Sequence, residues 1–145
     1  MAGYTYNRQS FTGAPTALAA VYCRCVVLEL ALKEELQLIG STGNGGHNVP
    51  VLLHSFANTK LGTSVLGDQV RNLSGQLGTR LSALWCQDRN GGAIKVKANS
   101  YPYLRYLRHQ TDGWSTPSSS DADLQMLDTT VSAVWIALKS AGINL

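Results

Sequence analysis

The sequence predicts an all-α fold: an antiparallel bundle of four main helices, one of them short, with an extended polar insert before the last. Three observations predict it. Apolar residues recur at steps of three and four in four separate segments. Short glycine-rich or polar links join most of them, which suits helices that fold back beside their neighbours. The chain has 145 residues, enough for one domain with a real core. We read residues 1–145 as that single domain, with 1–13 as a flexible N-terminal segment.

The first helix spans about Ala14 to Ile39. Leu18, Val21, Cys25, Leu28, Leu32 and Leu36 form its apolar stripe, and Pro15 suits a first turn. Tyr22, Val26 and Leu30 add a second stripe beside it. A helix apolar on two sides belongs at the centre of a bundle or at an interface. "GSTGNGGHNVP" (residues 40–50) ends this helix, and Asn48 is placed to cap the next. It is not a phosphate loop, since no strand precedes it and no Gly-Lys-Ser/Thr closes it.

The second helix is short, about Val49 to Asn58, with Leu52, Leu53 and Phe56 on its apolar face. The third runs from about Ser64 to Gln87 through Leu66, Val70, Leu73, Leu77, Leu81 and Leu84. Gly67, Gly75 and Gly78 each weaken it by up to about 1 kcal/mol relative to alanine. Such glycines can serve close approach by a second helix. Asn90-Gly91-Gly92 then signals a turn, and Ile94, Val96 and Ala98 alternate with Lys95 and Lys97 as in an extended segment. The last helix covers about Asp121 to Ser140, with Leu124, Leu127, Val131, Val134 and Leu138 inward. Asp121 and Asp123 in its first turn complement the helix dipole.

Composition bounds the function. Charged residues are only 14% of the chain and the net charge is +3, short of the excess of a dedicated nucleic-acid binder. The charge is uneven, however. Arg89, Lys95, Lys97, Arg105 and Arg108 follow one another with no acid between them. Cys23, Cys25 and Cys86 have no framework or metal-site spacing, so we expect a reducing compartment, no metal and no cofactor. No apolar leader opens the chain, and the apolar run from Ala17 to Leu32 is short and holds Arg24 and Glu29. The expectation is a cytoplasmic protein with no membrane span. No nucleophile elbow is present, which argues against a hydrolase triad.

"SYPYLRYLRHQTDGW" (residues 100–114) is the densest polar and aromatic stretch. Arginines grip phosphate and tyrosines stack on unpaired bases, so Tyr103 and Tyr106, with Lys95 and Lys97, are candidate RNA-binding residues. His109 could exchange a proton with a ribose hydroxyl or a leaving oxygen, and Arg105 or Arg108 could stabilise charge on the phosphate. The competing reading is a clasp, with those arginines paired to Glu29, Glu34, Glu35 or the acidic stretch 112–128. His47 is a further catalytic candidate, because the expected bundle could bring it near this stretch; as a purely structural residue it would bond a backbone carbonyl or the arginine cluster. His54, within the second helix, reads as partly buried. Glu29 and Lys33 lie one turn apart and can pair.

Glu29-Leu30-Ala31-Leu32-Lys33, followed by Gly46-His47-Asn48 and "VPVLLHSF", resembles the opening of one branch of the HEPN superfamily. "LRYLRHQTDGW" stands where that family often keeps an Arg-Tyr segment, just before its last long helix. The resemblance implies a small helical bundle, often dimeric, in a defence or toxin–antitoxin type module that binds RNA or a partner protein. Many such proteins are metal-independent ribonucleases with an arginine, four to six residues, then a histidine. Here Arg105 and His109 are separated by three residues and Arg108 adjoins His109, so that spacing is not met. The alternative is a catalytically inert subunit that assembles through apolar helix faces. Either reading predicts a homo-oligomer.

Overall fold

The computed structural model describes residues 15–38, 40, 46–83, 85–87, 93–95, 116–117 and 121–145, with side chains over 20–38, 40, 46–83 and 122–145. Four helices carry the fold: α1 (Pro15–Leu38), α2 (Val49–Phe56), α3 (Val65–Ser82) and α4 (Asp121–Ser140). They pack α1 on α2, α2 on α3, α3 on α4 and α1 on α4 around one core. The all-α expectation holds for the body of the domain.

Each helix has a legible start or stop. Gly40, with φ of 74°, follows α1 in the left-handed region that glycine tolerates best. The Asn48 side chain accepts a hydrogen bond from the Val51 N–H at 3.1 Å, which caps α2 as its position predicts. Ser64 does the same for α3, accepting from the Gly67 N–H at 2.9 Å. At the far end of α4, the Ile143 N–H donates to the Leu138 carbonyl and the Gly142 N–H to that of Lys139, both at 3.0 Å. With Gly142 at φ of 89°, this is a Schellman cap, and it folds Ile143 back into the core.

The core follows the predicted stripes. Val21, Cys25, Leu28, Leu32 and Leu36 of α1 are buried, as are Leu52, Leu53 and Phe56 of α2. Val70, Leu77 and Leu81 of α3 meet Leu124, Leu127 and Val131 of α4 in the same cluster. Full burial of each such leucine contributes about 1.5–3 kcal/mol. The second stripe of α1 divides: Tyr22 and Val26 pack against the core, whereas Leu30 is 63% exposed.

Two boundaries differ from the sequence expectation. The α-helical part of α2 ends at Phe56, and Ala57–Leu61 form one wider π-helical turn. That turn closes with the Gly62 N–H donating to the Ala57 carbonyl at 2.9 Å, and Gly62 takes φ of 56° to leave it. Helix α3 ends at Ser82 rather than near Gln87. Trp85–Gln87 is instead strand β1, antiparallel to β2 (Ala93–Lys95) and to β3 (Thr116–Pro117), in the order β2-β1-β3. The leucine period carries on through Leu84, but backbone pairing with β2 and β3 takes over from helical hydrogen bonding, a tertiary override of local propensity. Strand β2 falls where the alternation at Ile94 and Lys95 predicts extended chain.

The glycines of α3 also separate. A Cβ on Gly67 would stand 2.7 Å from the Gly62 carbonyl oxygen, so Gly67 admits the backbone of the preceding turn rather than another helix. A Cβ on Gly75 would meet nothing within 4 Å, and one on Gly78 would make ordinary contact with Pro50.

Candidate functional site

The corner where α1 leads into α2 gathers three chemically active side chains. Glu29 sits on α1 one turn after Cys25 and one turn before Lys33, and the α1–α2 packing brings residues 46–48 back beside it. Gly46, at φ of 55°, turns the chain, and the Val49 N–H donates to the His47 carbonyl at 3.1 Å. His47 is thereby held at the corner while Asn48 is committed to capping α2.

The Glu29 carboxylate is the centre of the group. Its side chain is only 7% exposed. Lys33 Nζ donates to Oε1 at 2.6 Å. His47 Nδ1 lies 3.1 Å from Oε1 and 3.2 Å from Oε2. A buried carboxylate is costly unless charged or polar donors meet it, and here donors arrive from its own helix and from the following corner. Nδ1 of His47 is anchored on this carboxylate while the side chain stays 62% exposed. Such an arrangement orients a solvent-facing imidazole, as a hydrogen-bonded carboxylate does for proton-transfer and phosphate-contacting histidines.

The same carboxylate acts on Cys25. Burial pushes this thiol up to about 12, with the Glu29 charge adding to the rise and Arg24 opposing it. Cys25 is therefore a protonated core residue rather than a nucleophile. Cys23, two positions earlier, is half-buried, and both thiols are free.

A second polar clasp ties α1 to α4. Arg24 Nη1 donates to Asp128 Oδ1 at 2.9 Å and to Ser132 Oγ at 3.2 Å. Asp128 is buried and Arg24 partly exposed. Sequence reasoning missed this pair and looked for acidic partners of Arg105 and Arg108 instead. The available signal was that Arg24 and Asp128 each interrupt an apolar stripe. Lys60, in the π-helical turn, pairs with Glu35 of α1. Arg71 of α3 bonds Asp68 at 2.6 Å, the Gly62 carbonyl at 2.8 Å and Asn58 at 3.1 Å, which braces the turn between α2 and α3.

Of the candidate residues named from sequence, His47 is placed, and its Nδ1 meets the Glu29 carboxylate. The expected Glu29–Lys33 pair is present. His54 is exposed, not partly buried, on the groove between α2 and α3 that Val51, Ser74, Gly75 and Gly78 also line. Lys95 lies in β2. Lys97, Tyr103, Arg105, Tyr106, Arg108 and His109 lie outside the described residues. Among the described residues no group of three or more His, Cys, Asp and Glu side chains could hold a metal, and no helix is long and apolar enough to cross a membrane. Comparison of the chain with protein-family models, with curated proteins and with solved structures found no match.

Proposed function

We propose that this chain is a HEPN-like helical module that binds RNA through the corner formed by Glu29, Lys33 and His47 and the basic, aromatic stretch downstream. One observation carries the reading. The residues that suggested the HEPN resemblance come from two separate segments, and Glu29, Lys33 and His47 meet there through hydrogen bonds of 2.6 to 3.2 Å. A cation and an exposed, oriented imidazole on one carboxylate offer donors to a phosphate or ribose. The run Arg89, Lys95, Lys97, Arg105 and Arg108, free of acids, would supply the wider electrostatic attraction.

The test is titration of the full chain with fluorescently labelled single-stranded RNA and tRNA, without added metal, at about 50 and about 200 mM salt. Binding should weaken at the higher salt, and His47→Ala should weaken it further. No salt-dependent binding to either RNA sinks the proposal. The same samples report metal-independent cleavage, for which His109 is the proposed proton donor beside Arg105 or Arg108. Cleavage that survives His109→Ala removes His109 from that role.

A second reading, a non-catalytic subunit that works by assembly, has its own observation. Leu30 and Leu38 on the outer face of α1 are 63% and 73% exposed.

A further inference from the structure

We propose that the outer face of α1 pairs with the same face of a second copy, antiparallel, about a two-fold axis beside Leu30. The proposal rests on the assembly reading and is independent of RNA binding. Ala20, Cys23, Val27, Leu30, Glu34 and Leu38 recur at steps of three and four and so share one strip. The strip lies opposite the buried stripe of Val21, Cys25, Leu28, Leu32 and Leu36. Five of its six members are apolar or small, and Leu30 and Leu38 remain largely exposed. Helix α1 is thus apolar around most of its circumference, the pattern of a helix with neighbours on both sides.

The occupant follows from charge and size along the strip. Arg24, whose Nη1 is held by Asp128 and Ser132 while its side chain stays 36% exposed, flanks it, and Glu34 lies within it ten positions on, with Glu29 midway between them. Glu34 is exposed and makes no ion pair with another described residue. A two-fold axis level with the midpoint sets Glu34 of each copy against Arg24 of the other, twice. The same axis sets Leu38 opposite the small Ala20, and Val27 opposite Ala31. Parallel pairing in register would instead place Glu34 against Glu34. At 1.5 Å of rise per residue, the two Leu30 side chains lie about 3 Å apart along the helix direction and meet across the axis. The two Leu38 residues lie about 27 Å apart. The interface is isologous and closes at two copies.

Sedimentation equilibrium of the full chain should return twice the 15.6 kDa chain mass. Leu30→Asp should return the single mass with an unchanged helical circular dichroism spectrum, because the side chain it replaces is exposed. Glu34→Arg, which sets arginine against Arg24, should weaken association at least tenfold, whereas Glu34→Gln should cost less. In a Cys23→Ser background, Leu30→Cys should form a disulfide-linked dimer under mild oxidation and Leu38→Cys should not. A monomeric parent chain overturns both this proposal and the assembly reading. An oligomer that survives Leu30→Asp, or Leu38→Cys linking as readily as Leu30→Cys, overturns this pairing and leaves assembly through another face.

Discussion

His47 Nδ1 stands 3.1 Å from Oε1 of Glu29, a residue 18 positions earlier whose side chain is almost fully buried. The contact joins the corner before α2 to the middle of α1. It also explains how an acid can occupy the edge of a leucine stripe. Lys33 and His47 supply the donors that water would otherwise provide.

Replacing Glu29 should therefore destabilise the fold. Glu29→Ala removes the acceptor but leaves partners that can turn to water, so the cost should be about 1–3 kcal/mol. Glu29→Gln, which keeps shape and one acceptor, should cost less. His47→Ala should cost about 1 kcal/mol or less because the ring is largely exposed. Urea denaturation of the three variants checks the order.

The Arg24–Asp128 pair should matter more than an exposed ion pair. Asp128→Ala strips a buried acceptor from a guanidinium that still has partial access to water, for a loss of about 2–4 kcal/mol. A double-mutant cycle with Arg24→Ala should give a coupling energy above about 0.5 kcal/mol. Additivity of the two changes would show that the clasp contributes nothing beyond its separate parts.

Cys25 predicts an alkaline limit to stability. Its thiol titrates near 12 when folded, against an ordinary value of 9.0. Between those values the unfolded chain loses this proton and the folded chain keeps it, so rising pH favours unfolding. The contribution to stability is constant below about pH 9 and falls above it by about 1.4 kcal/mol per pH unit. Cys25→Ala should remove that part of the slope in denaturation measured from pH 8 to 11. In the native protein at pH 8, iodoacetamide should modify Cys23 well before Cys25.

Glycines of the same helix should respond in opposite directions to alanine. Gly67→Ala drives a methyl group to 2.7 Å from the Gly62 carbonyl, a backbone atom that cannot swing aside. It should destabilise by about 1–3 kcal/mol. Gly75→Ala meets open space and should stabilise by about 0.4–1 kcal/mol, through helix propensity and a less disordered unfolded chain. Thermal unfolding midpoints read both.

Much of this arrangement is legible in the residues. Asn48 and Ser64 announce helix starts because a short polar side chain at that position satisfies an N–H that the helix leaves open. The pairing of Glu29 with Lys33 is equally local, set by one helical turn. The end of α3 is not local. The leucine period continues past Ser82, and pairing with the hairpin neighbour β2 and with β3, far along the chain, diverts Trp85–Gln87 into a sheet. The contact of His47 with Glu29 is not local either, since the neighbours of His47 in sequence are glycines and an asparagine, and Glu29 belongs to α1.

By itself, the sequence determined the presence of the four helices and the main apolar stripe of each, because helical periodicity and end-capping are properties of neighbours three and four apart. Only the tertiary structure decided that Glu29 receives His47, that Arg24 reaches Asp128 and that Gly67 faces a carbonyl while Gly75 faces space. Those outcomes depend on how helices pack. A buried charge accepts whichever donor the packing brings within about 3 Å, and no spacing along the chain records that distance.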